Sequence, residues 1–354
     1  AHNAAKVVVV TDTLADFPCC PASISQQFVD YVVEVDQIGD PAKIGAGAAR
    51  LTKNPRDLLI AERVADIIAA SRLFQEGYSF QTGAGAISIA CTKYLADRAR
   101  ERGIKASFAL GGITSVIVDM YDEGLVRVLE CSQSFDAVAA KAIYDRPGVR
   151  EIDNADYANP FSKGCFLNNL NFGVLAALEV DTDFNVNILT GSSGQMMGGL
   201  GGGPDVASGA DISIVALPII RGRTPSVVKK VFTCCTPGDS VAMVVTEAGI
   251  ALNPKHKNYE MLKEDLEKAG VKEGWRIYVT HADAMDKAEQ AKAAQMKALE
   301  VISGLTQEQA KQHLLESVEE EVRHEAAMKI KEIEQQMKDE AEDKAREVIS
   351  TAIQ

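Results

Sequence analysis

All eleven prolines of the chain lie at or before Pro254. Proline lacks a backbone N–H and fixes its own φ, so it limits where helices and sheet ladders can run unbroken. No such break follows Pro254, and from Ala284 onward Gly304 is the only glycine. Asp and Glu outnumber Lys and Arg over that stretch. The chain therefore divides into a mixed α/β part and a final, nearly all-helical part.

In the first part, β-branched runs alternate with helical patterns. KVVVV (6–10), YVVEV (31–35), ISIVALPII (212–220) and VAMVV (241–245) are strand candidates. Residues 58–74 and 87–103 have helical patterns, the first opened by Asn54-Pro55 and the second stopped by Gly103. Strands separated by helices predict a parallel α/β sheet. Pro55 suits the first helical turn, and Gly103 suits a left-handed cap.

Composition sets further limits. The chain has 354 residues, 46% of them hydrophobic, which is enough for two cores of ordinary size. No apolar run reaches the ~18 residues needed to cross a bilayer, and the VVVV run at 7–10 is too short for a secretion signal. A net charge of −13 argues against nonspecific nucleic-acid binding, which needs Lys and Arg to neutralise phosphates. The seven cysteines include two adjacent pairs, Cys19–Cys20 and Cys234–Cys235, and no CxxC spacing. Reduced thiols in the cytoplasm are expected, with no metal site and no disulfide framework.

Chemistry concentrates in glycine-rich loops: QTGAGA (81–86), LGGIT (110–114) and GGLGGGPDVASG (198–209). Glycine lets backbone N–H groups approach an anion or a carbonyl oxygen closely. The first loop joins a strand-like segment to a helix, which suits a pocket at a helix N-terminus. It matches neither GxGxxG with a ribose-binding acid nor GxxxxGK[ST], so a nucleotide site is not supported. A tight structural turn is the plain alternative for each loop.

The last part opens at Thr306, with Gln309 placed to complete a capping box. Apolar or alanine positions then recur from Leu315 and Val318 to Val348 and Ala352 at spacings of three and four. About 45 helical residues would extend roughly 65–70 Å. With alanine on much of its stripe, such a helix needs a partner, and pairing with a second copy is expected. His313 and His324 on this helix read as surface or seam histidines, not ligands.

The ordered loops of the first part carry a family resemblance. IGDPAKIGAGAAR (38–50), FQTGAGAISIA (80–90), FALGGITSVIVDMYDEGLV (108–126), QSFDAVAAKA (133–142) and YANPFSKG (157–164) are followed by ALEVDTDFNVNILTGSSG (177–194), GGGPDVASGADISIVALPIIRGRTPSVV (201–228) and TPGDSVAMVVTEAGIALNP (236–254). In that order they resemble the citrate lyase alpha subunit, a family with the CoA-transferase fold, over residues 1 to about 271. The resemblance implies an acyl transferase: acetyl on a carrier thioester is exchanged for citrate and acetate is released. The implied co-substrate is an acyl-carrier phosphopantetheine thioester or CoA, with no bound cofactor and no metal. Implied partners are the citrate lyase beta and acyl-carrier subunits, with no membrane and no nucleic acid.

The same resemblance implies site residues. Gly111, Gly112 and Thr114 are the expected catalytic positions, as backbone and hydroxyl donors. Gly83, Gly85, Gly201, Gly202, Asn185, Asn187, Arg221 and Arg223 are the expected substrate-binding positions. Alternation on a strand would put both asparagine amides on one face. The arginines would meet carboxylate or phosphate, with surface salt bridges as the plain alternative. Related CoA-transferases use a glutamate nucleophile in the loop matching LGGIT, and Thr114-Ser115-Val116 brings no carboxylate there. That implies direct transfer through an anhydride. Gly203 stands where the family loop carries His, Glu247-Ala248 stands for an Asp-His pair, and Asp136 reads equally well as a loop cap.

From about residue 296 the chain instead resembles the helical region that precedes the KH domain in ribonuclease Y. The expected organisation is a remnant of a first CoA-transferase-like domain with a linker at 1–57, a second such domain at 58–271, a junction at 272–295 and an extended coiled-coil-like helix at 296–354. A competing reading takes the whole as a non-catalytic chimera, a truncated CoA-transferase-like domain tethered to an oligomerising helix. The helical stripe predicts concentration-dependent self-association. Sedimentation should resolve a species heavier than the monomer, and a strictly monomeric chain at high concentration would remove the paired helix.

Overall fold

The structure, a computed structural model, describes residues 3–16, 22–40, 51–222 and 224–271. Arg223, the junction at 272–295 and the helical segment at 296–354 lie outside the described residues. β1 (Val8–Thr11) and β2 (Tyr31–Glu34) pair in parallel as a two-stranded ribbon. The main body runs α1 (Pro55–Ala70), β3 (Ser79–Thr82), α2 (Ala86–Arg102), β4 (Ala106–Ile113), α3 (Ser115–Asp122), β5 (Val126–Ser134), α4 (Ala137–Asp145), β6 (Val149–Glu151), α5 (Asn154–Ala158) and β7 (Phe172–Leu175). It continues with β8 (Glu179–Asp181), β9 (Val186–Asn187), α6 (Gly203–Gly209), β10 (Ile212–Ala216), β11 (Ile220–Arg221), β12 (Thr224–Pro225), β13 (Val227–Val228), β14 (Met243–Thr246), β15 (Gly249–Leu252) and α7 (Tyr259–Lys268).

Eight strands form the main sheet, in the order β15-β14-β10-β7-β3-β4-β5-β6. Every pairing in it is parallel except that of β15 with β14. Strand side chains alternate between two cores, as a pleated sheet buried on both faces requires. Phe80, Ala109, Phe172, Val174, Ile214 and Met243 enter the core beneath α1, α2 and α3. Leu110, Leu175, Val215 and Val244 enter the core on the other face, with α5, α6 and β9. A small sheet, β13-β8-β9, belongs to that second side.

The expected helix boundaries are largely recovered. Asn54 caps α1 by accepting the Arg56 N–H at 3.0 Å, with Pro55 in the first turn. Gly103 ends α2 with φ 64°. The helix expected to reach residue 74 stops at Ala70. There the buried Asp265 of α7 accepts the Arg72 N–H at 2.9 Å and its Nε–H at 2.8 Å, and that ion pair draws the chain away from the helix axis. The run at 212–220 breaks at Pro218 into β10 and β11, because proline cannot continue the ladder. Asp136 is a cap at two helices. One oxygen accepts the Ser115 N–H that opens α3, at 2.7 Å, and the other accepts the Ala139 N–H of α4, at 2.8 Å.

The pairing that closes the sheet is between β3 and β7. Asn171 accepts the Ser79 N–H at 3.0 Å through Oδ1 and donates its own backbone N–H to Ser79 Oγ at 2.9 Å. Its Nδ2 donates to Asp211, just before β10, at 2.9 Å. The β1–β2 ribbon has no further strand beside it among the described residues, and Val8, Val10, Tyr31 and Val32 are each more than half exposed.

Two outcomes are expected. Replacing Asp136 with Ala should cost about 1–3 kcal/mol in chemical denaturation, since two helix caps are lost together. An unchanged midpoint would show that the caps contribute nothing. The second concerns the buried His256, whose Nδ1 accepts the Asn258 N–H at 3.2 Å ahead of α7. Burial, helped by Lys257, lowers its pKa from 6.5 to about 4. The neutral ring is therefore favoured in the folded chain, and its contribution is full above pH 6.5 and declines as pH falls toward 4. A His256→Phe variant should be less stable than wild type at pH 7, with the gap narrowing across that window. A gap that stays constant with pH would show that the ring does not titrate this way.

Candidate functional site

β3 is the strand at which the sheet order reverses. The chain leaves it toward β4, β5 and β6, and returns much later to add β7 on its other side. Loops leaving such a switch point run in opposite directions, and a crevice opens at the carboxyl ends of the two strands. A cleft of about 550 Å³ lies there. Thr82 and Gly83 leave β3 along one side and Val174 to Ala176 leave β7 along the other.

Two glycine segments shape the rest of the cleft. Between Gly111 and Gly112 the β4–β5 register shifts, and Ser132 is the extra residue on β5. Gly111 has φ +91°, a region that side chains with a Cβ rarely adopt. A Cβ on Gly112 would stand 1.9 Å from the Phe135 ring. On the opposite side, Gly201 and Gly202 lead into α6, and a Cβ on Gly202 would lie 2.7 Å from the Tyr157 hydroxyl. Both loops are glycine because neighbouring rings come up against the backbone.

Four of the expected positions line this cleft together: Gly83, Gly112, Gly201 and Gly202. Gly85 is set back at the N-cap of α2, where a Cβ would touch Ala176. Gly111 lies behind Gly112 and packs on Gln81 and Tyr157. Thr114 is the N-cap residue of α3, buried, with no hydrogen-bond partner for its hydroxyl among the described residues. Gly203, expected as a departure from the family loop, is in the cleft wall.

The asparagines do different work from that expected. Asn187 is fully buried, and its Nδ2 donates to Glu179 at 2.9 Å and to the Thr190 carbonyl at 2.8 Å. Its Oδ1 accepts the Leu189 and Thr190 N–H groups, each at 3.0 Å. Asn185 donates to Asp181 at 3.1 Å and accepts the Gly238 N–H at 3.0 Å. Glu179 and Asp181 are buried carboxylates on β8 and need donors there, so both amides are spent inside the fold. Arg221 lies on the exposed β11–β12 hairpin, outside the cleft walls, and donates to the Leu178 carbonyl at 2.6 Å. Arg223 lies outside the described residues.

Sequence reasoning passed over the side chains beside the glycines. Gln81, Phe135, Tyr157 and Asp205 all line the cleft; Gln81 and Asp205 sit within the glycine-rich loops, and Phe135 and Tyr157 within the segments QSFDAVAAKA and YANPFSKG. Tyr157 donates its hydroxyl to Gln81 Oε1 at 3.1 Å. Burial pushes that hydroxyl up to about 12, which keeps it a donor. The Asp205 carboxyl, in the first turn of α6, is raised by desolvation. Among the described residues, no Lys, Arg or His lines the cleft. Apart from the Asp205 carboxyl, its polar side chains are neutral amides and hydroxyls, fitted to donate to carbonyl oxygen more than to neutralise a polyanion.

No group of three or more His, Cys, Asp or Glu among the described residues is arranged to hold a metal ion. No described helix is long and apolar enough to cross a membrane.

Comparison with known proteins divides the chain in two overlapping stretches. Residues 252–354 match the family described as RNase Y N-terminal region. Ribonuclease Y of Clostridium botulinum strain Hall is 54% identical over 72 residues, 20% of this chain and 14% of that protein. The citrate lyase alpha chain of Klebsiella pneumoniae is 49% identical over 271 residues, 77% of this chain. The chain spans 53% of that relative's length. A crystal structure of the alpha subunit of citrate lyase from Streptococcus mutans, in complex with citrate, superposes with TM-score 0.70 at 48% identity, over 75% of this chain and 52% of that one. Residues 1–301 match the family described as Citrate lyase, alpha subunit (CitF), and over that length the chain belongs to the citrate lyase alpha subunit family.

Proposed function

We propose that the chain carries a citrate lyase alpha-type acyl exchange, in which citrate replaces acetyl on a carrier thioester. The observation that supports this most is the cleft at the β3/β7 switch point. There two glycine segments and neutral donors converge, within 271 residues that are 49% identical to the citrate lyase alpha chain of Klebsiella pneumoniae. The co-substrate is a phosphopantetheine thioester on an acyl carrier, or CoA. A citrate carboxylate oxygen attacks the acetyl carbonyl carbon. The C–S bond breaks, the thiolate leaves, and an acetyl–citryl anhydride forms. The thiolate then attacks the citryl carbonyl, and acetate departs with the anhydride oxygen. Atoms balance as citrate plus acetyl thioester giving citryl thioester plus acetate.

Each tetrahedral stage places negative charge on a carbonyl oxygen, and preorganised N–H donors stabilise it. The LGGIT loop supplies no carboxylate for a covalent intermediate. Asp136, whose carboxylate accepts the Ser115 N–H just after that loop, also accepts the Ala139 N–H. That supports direct transfer between the two substrates. Partners of the same reading are the citrate lyase beta and acyl-carrier subunits in the cytoplasm, and the CoA-transferase-like assignment of the main sheet belongs with it.

The test is a direct exchange assay. The full chain is mixed with citrate and acetyl-CoA, or with an acetylated carrier, and products are followed by mass spectrometry. Citryl thioester and acetate should form in equal amounts. A folded chain that forms neither with either acyl donor overturns the proposal and favours the non-catalytic reading.

A further inference from the structure

Resting on the acyl-exchange reading, we propose that Gln81 is the side chain that contacts the uncharged thioester carbonyl in the cleft, and that Tyr157 is the positioning residue that aims it. The cleft would thus hold the thioester arm of the acyl donor, and citrate would approach from its open side.

Gln81 is only 7% exposed, yet it borders the cleft. Its Oε1 accepts the Tyr157 hydroxyl at 3.1 Å, and its Nε2 has no protein acceptor among the described residues. A tyrosine hydroxyl has a single hydrogen to give. Given to Oε1, it fixes the amide with the oxygen toward α5 and the two N–H donors on the other side. With no protein acceptor holding them, those donors are available to an oxygen bound in the cleft that Gln81 borders.

The pair is held on two sides by glycine. A Cβ on Gly111 would lie 3.1 Å from both Gln81 Cδ and Tyr157 Cε2, and one on Gly202 would lie 2.7 Å from the Tyr157 hydroxyl. Both loops therefore close to backbone distance on these two side chains and leave them little room to turn. A donor fixed before the ligand arrives needs no reorganisation as charge grows on the carbonyl oxygen.

Charge decides which end of the reaction sits here. A tricarboxylate in this cleft would meet no cation from its described walls, and would meet the Asp205 carboxyl. A thioester arm is neutral over its reacting end. Its carbonyl needs a donor, and its carbon chain suits Val174, Leu175, Val186 and Ile188 in the walls.

The probes are two unreactive CoA thioethers, S-acetonyl-CoA, which has a carbonyl oxygen, and S-ethyl-CoA, which has none. Calorimetry should show wild type binding the carbonyl-bearing analogue about tenfold more tightly, the usual size of one well-made hydrogen bond. Gln81→Leu should lose that preference. Gln81→Glu keeps the side chain's shape but replaces its donors with oxygen, so it should lose the preference too and gives a second reading if one variant fails to fold. Tyr157→Phe keeps the ring and removes the hydroxyl, and should weaken the preference. In the exchange assay, Gln81→Leu should lower kcat with the KM for citrate little changed, a split that a loosened fold would not produce. Variants that fold and keep the full preference overturn the assignment and leave the exchange reading standing. A wild-type chain that binds neither analogue overturns both.

Discussion

The register shift between Gly111 and Gly112 is the constraint on which the cleft depends. Strands β4 and β5 are in step up to Gly111 and Cys131, and one residue out of step after it. The extra residue, Ser132, reaches the cleft wall, Gly111 takes a left-handed conformation, and Gly112 is pressed against Phe135. A side chain at Gly111 would press on Gln81 and Tyr157, each 3.1 Å from an added Cβ. Bulges near active sites commonly re-aim side chains in this way. Here the bulge clears room for two side chains on neighbouring elements.

A second requirement comes from β8, which buries two carboxylates one residue apart. Buried charge is tolerated only when its lone pairs are met. Asp181 accepts the Asp183 and Asn185 N–H groups at 3.0 Å each, and Glu179 is met by Asn187 and by the Ser192 hydroxyl. These bonds fold the segment from β8 to the loop at Thr190 onto itself. The same segment puts Val186 and Ile188 into the cleft wall, so the polar network sets the position of an apolar surface it does not belong to.

Much of the fold was legible in the sequence. Asn54-Pro55 and Gly103 mark helix ends by local chemistry alone, and the β-branched runs at 6–10, 31–35 and 241–245 fall on β1, β2 and β14. The centre of the sheet was not legible. β3 is four residues, SFQT, with no β-branched run, and β4 carries two glycines just before its last residue, which read as a loop. Their strand character comes from neighbours far away in sequence, which no local pattern records. The cleft divides in the same way. Glycines announce themselves by composition, so Gly83, Gly112, Gly201 and Gly202 were found. Gln81 and Tyr157 were not, because what sets them apart is a contact between residues 76 positions apart. Asn187 is in β9 and Asn185 just before it, and the buried acids that both amides serve are invisible until the chain is folded.

The strand at the middle of the sheet is also the first of it to be made. β3, β4, β5 and β6 are neighbours both in space and in chain order, so as synthesis proceeds each has its partner already waiting. The other half has no such luxury, because β10, β14 and β15 build outward from β7, and β7 attaches to a strand completed long before. Loop closure over that distance is the slow kind of contact. Ser79 and Asn171, bonded to one another across 92 residues, register that closure. During vectorial synthesis the open flank of β3 stays unpaired until Asn171 emerges, and the cleft, which needs β7 for one of its sides, is among the last features of the main body to exist.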